Sequence, residues 1–204
     1  MSNTVITIDG PAGSGKSTVA QLLAKRLGFE FLDTGAMYRA AALAVMRAEA
    51  DFNDYDAVKQ VLSETRFEFA CRGSDTAAFL DGEDITEDIR RADVTENVRN
   101  IASLDFVRDK LVTMQREFAA KAGNIVTEGR DQGTVVFPDA SVKIFLVADA
   151  DERARRRYEQ LKGKGAAAEF EQIKKTIRQR DKSDMQRKLS PLKKAPDAVE
   201  LDTT

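Results

Sequence analysis

Residues Gly10-Pro11-Ala12-Gly13-Ser14-Gly15-Lys16-Ser17 match G-x-x-x-x-G-K-[ST], and their flanks make the match meaningful. Val5-Ile6-Thr7-Ile8 before them is a short β-rich run. Lys16 to Leu27 after them reads as a helix, with Val19, Leu22, Leu23 and Leu27 on one face and Gly28 as its stop. A strand that turns through glycines straight into a helix aims successive backbone N–H groups at one point. The positive end of the helix faces the same point. That is a cradle for the phosphates of a nucleoside triphosphate. In it Lys16 can reach the β/γ-phosphates and the Ser17 hydroxyl can ligate Mg²⁺.

The remaining pattern is α/β. Phe29 to Leu32 predicts a second strand, broken by Asp33-Thr34-Gly35, and Ala36 to Ala50 an Ala-rich helix. Asp105–Lys121 predicts a helix, Asn124 to Thr127 a strand, and Val142 to Val147 a strand buried on both faces. Ala198 to Leu201 suggests a further strand. Strands alternating with helices of this length imply βαβ units and a parallel sheet. The stretch 51–97 departs from that rhythm. Arg66–Ala70 and Ala77–Leu80 are short strand candidates and Asp81-Gly82 is a hairpin signal, so a small insertion of antiparallel strands and short helices is expected there. Gly163–Ala168 reads as a flexible joint between two basic helices.

Composition removes much of the remaining chemistry. The chain of 204 residues contains no His, so no Ser-His-Asp triad, imidazole ligand or His general base is available. Its one Cys, Cys71, allows neither an intrachain disulfide nor a Cys-rich zinc site, which suits a reducing cytoplasm. No apolar run approaches the ~20 residues of a membrane helix, and no basic stretch with an apolar h-region marks a signal peptide. Net charge is −2, unevenly spread: from Asp151 to Lys194 there are 15 Lys+Arg against 7 Asp+Glu, a net of +8, leaving −10 elsewhere. A basic segment on an acidic body suits an anionic small ligand, a nucleic acid, or simply a solvated helix face.

The cradle alone does not separate a switch, a motor and a small kinase. The length is short for most motors and the guanine-reading N-K-x-D is absent, so a small-molecule kinase leads. Three constellations could hold what receives the phosphate. Asp33 to Arg39 follows a predicted strand, where open α/β sheets bind ligands. Glu128-Gly129-Arg130-Asp131-Gln132-Gly133-Thr134 also follows one; Arg130 can fork onto a phosphate and Asp131 can accept from an amino group. In the basic segment Arg153, Arg156 and Arg157 share one helix face, and Arg180, Asp184 and Arg187 share a face of the next. Such arginines repel one another unless an anion lies between them, and transferring phosphoryl groups need such cations.

Val5–Ser17, Asp33–Arg39, Glu128–Pro138 with Val142–Leu146, and Arg178–Leu192 together resemble the bacterial cytidylate kinases, a family of P-loop nucleoside monophosphate kinases. The resemblance covers nearly the whole chain, and Gly129-Arg130-Asp131-Gln132-Gly133-Thr134-Val135-Val136-Phe137-Pro138 is its most specific part. It implies a five-stranded parallel core (1–50, 98–150, 167–204), an insertion binding the monophosphate (51–97) and a mobile helical lid (151–166). It implies that Gly10, Pro11, Ala12, Gly13, Ser14, Gly15, Lys16, Ser17 and Thr18 bind ATP. Thr34, Tyr38, Arg39 and Gly129 would hold the acceptor CMP or dCMP, with Arg130 at its α-phosphate. Asp131 and Arg187 would read the cytosine edge, with Arg108 near the base, while Arg180 and Asp184 take the ribose hydroxyls. Arg153 and Arg157 would clamp the transferring group, and Asp33 would belong to the catalytic centre through Mg²⁺-bound water or substrate.

Two departures stand out. Alignment on Val107-Arg108 puts Arg99 where the family usually has Ser, and the family continues past Leu201–Thr204 into a C-terminal helix. The implied reaction is ATP + CMP ⇌ ADP + CDP, by a cytoplasmic monomer with small-molecule substrates and no nucleic-acid or membrane partner. A kinase for UMP, AMP or a small alcohol, and a non-catalytic or RNA-binding P-loop protein, are the alternatives.

Overall fold

A computed structural model describes residues 3–72, 75–163, 165 and 168–204. By its contacts the chain divides into two units, one of residues up to Thr4 with Gln21–Thr127, the other of Val5–Ala20 with Glu128–Thr204. In chain order the elements begin with β1 (Val5–Asp9), α1 (Lys16–Leu27), β2 (Glu30–Asp33), α2 (Thr34–Arg47) and α3 (Tyr55–Glu64). Next come β3 (Phe67–Arg72), β4 (Asp75–Leu80), β5 (Glu83–Asp84), a 3₁₀ turn (Asp88–Arg90), α4 (Ala92–Ile101) and α5 (Asp105–Ala122). Then follow β6 (Ile125–Gly129), a π-helical turn (Gln132–Val136), β7 (Val142–Val147), α6 (Ala150–Gly163), α7 (Phe170–Gln186) and β8 (Val199–Asp202). Two sheets result, a five-stranded one of order β2-β6-β1-β7-β8 and an antiparallel one of order β3-β4-β5.

In the second unit β7 pairs in parallel with β1, Ile8 opposite Ile144, and with β8, Ile144 opposite Val199. The α/β class expected from the alternation is present. The expectation for β7 needs correction: Leu146 and Lys143 are buried, but Val142 is 44% exposed. The apolar run is interrupted by Lys143, whose amine donates to the Pro138 carbonyl and pairs with Asp197, and its neighbour β8 is an exposed outer strand. The α1 face is also corrected. Leu22 is 63% and Leu27 46% exposed, while Lys16, Ala20 and Ala24 face inward. A row of small side chains at i and i+4 lets a helix approach closely, and that outweighs the larger leucines.

The first unit is built on α2. It starts at Thr34, two residues earlier than the Ala-rich run suggests, because Asp33 caps it: Asp33 Oδ1 accepts from Ala36 N at 3.0 Å. Met37, Ala40, Ala42 and Val45 are fully enclosed and pack with Val58, Leu62, Ile85, Ile89, Ile101 and Leu111. The helix ends at Arg47, short of Ala50, where Glu49 turns left-handed at φ 53°. Phe67 pairs with Leu80, and Leu80 with Glu83 across Asp81-Gly82, whose φ values of 49° and 88° make a type I′ turn. The two-residue strand β5 that this turn creates is too short for any periodic signal.

Candidate active site

In the cradle, Gly10, Gly13 and Gly15 have φ of 152°, 79° and 86°, conformations that side chains resist. Gly10 is the most constrained, since a Cβ there would overlap the Leu146 carbonyl oxygen. Gly10→Ala should therefore cost at least about 2 kcal/mol of stability, from clash and backbone strain together. Urea denaturation measures this, and an unchanged midpoint would contradict the geometry. Ser14 Oγ donates to Pro11 O at 3.0 Å and Lys16 Nζ donates to the same oxygen at 2.8 Å. Ser17 Oγ donates to Glu128 Oε1 at 2.6 Å, and the Ser14 carbonyl accepts from Thr203 Oγ1 at 3.0 Å. Thr18 is exposed in the first turn of α1.

Lys16 is buried among charges of both signs. Burial pushes its amine down to about 7, Arg130 and Arg180 push the same way, and Glu128 and Asp9 oppose them. Lys16 thus feels Arg130 and Arg180 together, and an anion placed among them would favour its charged form. Asp9, buried at the end of β1, has its carboxyl pushed up to about 6 by burial, against the pull of two backbone N–H groups. Asp9 lies outside the residues expected from sequence, and Glu128, which opens the expected 128–134 constellation, carries no expected role of its own. An acidic residue closing a buried β-rich strand, and another directly before Gly129, are the signals that point to them.

Past β6, Arg130 Nε donates to Asp184 Oδ2 at 2.8 Å and Nη1 to Gly129 O at 3.1 Å. Asp131 is buried. Arg187 does not continue the α7 face as the i, i+7 spacing suggests, because the helix stops at Gln186. The chain turns back there, with Ser190 at φ 46°, Leu192 N donating to Asp184 O and Arg187 Nη2 donating to Ser190 O at 3.0 Å. Arg187 Nε is buried with no hydrogen-bond partner among the described residues.

The helical arginines are not a bare cluster, which corrects the repulsion expected from their spacing. Arg153 forks onto Asp181, Nη1 to Oδ1 at 3.1 Å and Nη2 to Oδ2 at 2.7 Å. It also donates to Ala148 O at 2.9 Å and to Ala12 O in the cradle at 3.1 Å. Arg156 pairs with Glu152 at 2.8 Å, and Arg157 is exposed, donating to Gln160 Oε1 at 2.7 Å. Local carboxylates, Asp181 foremost, take the place of the anion. Lys174, Lys175, Arg178 and Lys182 line a cavity of about 300 Å³ on α7 that includes none of the cradle residues. Residues 164, 166 and 167 of the expected joint, and 164 and 166 of the expected lid, lie outside the described residues.

In the first unit Arg39 Nη2 donates to Asp33 Oδ2 at 2.8 Å, so Asp33 both caps α2 and holds Arg39. Gly35 makes room for that guanidinium, since a Cβ would lie 2.9 Å from Arg39 Nη1. Arg39 Nε is buried without a hydrogen-bond partner among the described residues. Arg108 is buried beneath the half-buried Tyr38, 6.0 Å from its ring centre, and Thr34 is buried in the first turn of α2. Arg99 is exposed on α4.

A parallel sheet whose β1 enters a glycine-rich, lysine-bearing cradle at the head of α1 defines a P-loop nucleotide-binding protein. Among solved structures, the Thermus thermophilus protein TT1252 matches this fold with a TM-score of 0.51 at 19% identity, over 100% of this chain and 90% of that one. An uncharacterized protein from Eubacterium ventriosum matches with a TM-score of 0.50 at 15% identity, over 98% and 89%. The family model described as "Cytidylate kinase" matches residues 6–204. The cytidylate kinase of Pediococcus pentosaceus is 48% identical over 98% of this chain and 88% of its own length. That of Mycobacterium avium is 48% identical over 99% and 89%. The chain belongs to the cytidylate kinase family.

Proposed function

We propose that the protein transfers the γ-phosphoryl group of ATP to CMP, giving ADP and CDP, with dCMP as a second acceptor. Besides family membership, the observation that carries this is the gathering of Lys16, Arg130 and Arg180 in the P-loop unit. Such cations match the charge that spreads over the oxygens of a transferring phosphoryl group. The acceptor is itself a phosphate oxygen, ionised near neutral pH, so a chain without His lacks nothing the reaction needs.

Lys16 is assigned to the β/γ-phosphates, the cradle amides to the donor phosphates and Arg130 to the acceptor phosphate. Asp131 and Arg187 are assigned to the cytosine edge. Arg187 Nε, without a hydrogen-bond partner among the described residues, supports this, because a buried donor is costly until something accepts from it. Arg180 and Asp184 are assigned to the ribose. Thr34, Tyr38, Arg39, Arg108 and Gly129 are assigned to the acceptor nucleotide, and Asp33 to the catalytic centre. Residues 151–166 are read as a lid and 51–97 as the monophosphate-binding insertion, the rest being core. On the lid, exposed Arg157 can reach a phosphoryl group without leaving a buried partner, whereas Arg153 would have to release Asp181.

Ser17 Oγ and Glu128 Oε1 stand 2.6 Å apart, hard oxygen donors that suit Mg²⁺, an ion completed by phosphates and water. When bound there it would neutralise phosphate charge. Among the described residues no helix is long and apolar enough to cross a membrane. We take the protein to be a cytoplasmic monomer acting on small molecules.

A coupled ADP-release assay with CMP, dCMP, UMP and AMP tests the reading. CMP and dCMP should be turned over far better than the others, and a preference for AMP or UMP would overturn it. Proton uptake provides a second check. With its amine pushed down to about 7, Lys16 is mostly neutral at pH 8 in the free protein. Triphosphate beside it favours the charged form and raises that value. ATP binding at pH 8 should therefore take up about one proton, a linkage read by calorimetry in buffers of different ionisation enthalpy. Lys16→Met should abolish the uptake.

A further inference from the structure

We propose that Asp9 is a positioning residue for the acceptor, fastening the Arg130–Asp131 loop to the strand that carries the phosphate cradle; this rests on the reading of that loop as the CMP site. Asp9 is the last residue of β1 and directly precedes Gly10. The residue is 4% exposed. Oδ1 accepts from Gln132 N at 2.9 Å and Oδ2 from Gly133 N at 2.8 Å. These two peptides immediately follow Arg130 and Asp131. The loop is pressed so close that a Cβ on Gly133 would lie 3.0 Å from Thr7 Oγ1 and 3.2 Å from Lys143 Cδ.

A buried carboxylate is a costly way to satisfy two N–H groups, and Asp131 nearby adds like charge, offset in part by Lys16. What Asp offers is two acceptors on a short, stiff side chain. Asn would offer one acceptor and turn an NH₂ toward the second N–H. The cradle has separate fastenings, Gly10 against Leu146 and Ser14 and Lys16 on Pro11. Loss of the carboxylate should therefore loosen the acceptor side more than the donor side. Supports behind a binding residue set its geometry in this way, and displacements below an ångström change affinity strongly.

The test is steady-state kinetics of the wild type, Asp9→Asn and Gly133→Ala, with melting recorded for each. Gly133→Ala attacks the same clamp from the loop side and leaves the carboxylate in place. In both variants KM for CMP should rise about tenfold or more, KM for ATP should change less than about threefold, and the preference for CMP over UMP should fall. The double variant should be less than additive. Equal rises in both KM values, unchanged KM for CMP in folded variants, or loss of folding in both would make Asp9 a stability element and overturn the proposal. Failure of the wild type to phosphorylate CMP would instead remove the functional reading on which it rests.

Discussion

Replacing Lys16 with Met should lower kcat by about two orders of magnitude or more, the scale on which removal of one preorganised charge donor slows a reaction. Folding should survive. The Lys16 amine is buried and donates to the Pro11 carbonyl at 2.8 Å, and its charge is disfavoured by burial, Arg130 and Arg180 more than Glu128 and Asp9 favour it. Met fills similar space without that desolvated charge, so the melting temperature of the nucleotide-free protein should hold or rise. Turnover and melting measured on one preparation separate the two effects. A folded variant that keeps near-wild-type turnover would show that the cradle lysine does not act on the transferring group.

The second large effect is in base selection. Cytosine carries a 4-amino donor and an N3 acceptor where uracil carries a carbonyl and an N–H. A carboxylate accepts from the first and is repelled by the second; a guanidinium donates to N3 and is blocked by N–H. Arg187 Nε is a buried donor without a hydrogen-bond partner among the described residues, so a base that cannot accept from it would leave it uncompensated, and a uracil carbonyl would face the buried Asp131 carboxylate. Sites of that kind reject the wrong analogue by orders of magnitude. CMP should exceed UMP by at least about a hundredfold in kcat/KM. Asp131→Ala should cut CMP activity and shrink the ratio. Asp184→Ala should leave base choice alone, although loss of its 2.8 Å bond to Arg130 should also weaken the acceptor phosphate contact. Comparable kcat/KM for CMP and UMP in the wild type would overturn the assignment of Asp131 and Arg187 to the base.

Local patterns carry a long way here. The cradle needs residues adjacent in sequence, so its glycines, Lys16 and Ser17 are legible without any long-range contact. The alternation of strands and helices and the Asp81-Gly82 turn are local in the same sense. Element ends fail where a side chain decides them. Asp33 looks like a breaker by composition, yet its carboxylate caps the next turn and starts α2 early. The inward face of α1 fails because periodicity counts hydrophobicity, while close helix packing selects for small size at Ala20 and Ala24.

The pairings that organise the site are of another kind. Ser17 meets Glu128 across 111 residues, Asp9 meets Gln132 across 123, and Arg153 meets Ala12 across 141. No spacing rule reaches that far, because the chain between can fold in many ways and only the sheet order β2-β6-β1-β7-β8 sets which strand ends become neighbours. By itself the sequence determined the phosphate chemistry, the α/β class and, through a resemblance spread over most of the chain, the acceptor. The tertiary structure alone decided which charges face one another. It matched Arg153 with Asp181 and Arg156 with Glu152, where spacing alone suggests a cluster awaiting an anion. It also enclosed Lys16 and Asp9, and burial shifts their proton affinities in opposite directions because each loses water around its charged form.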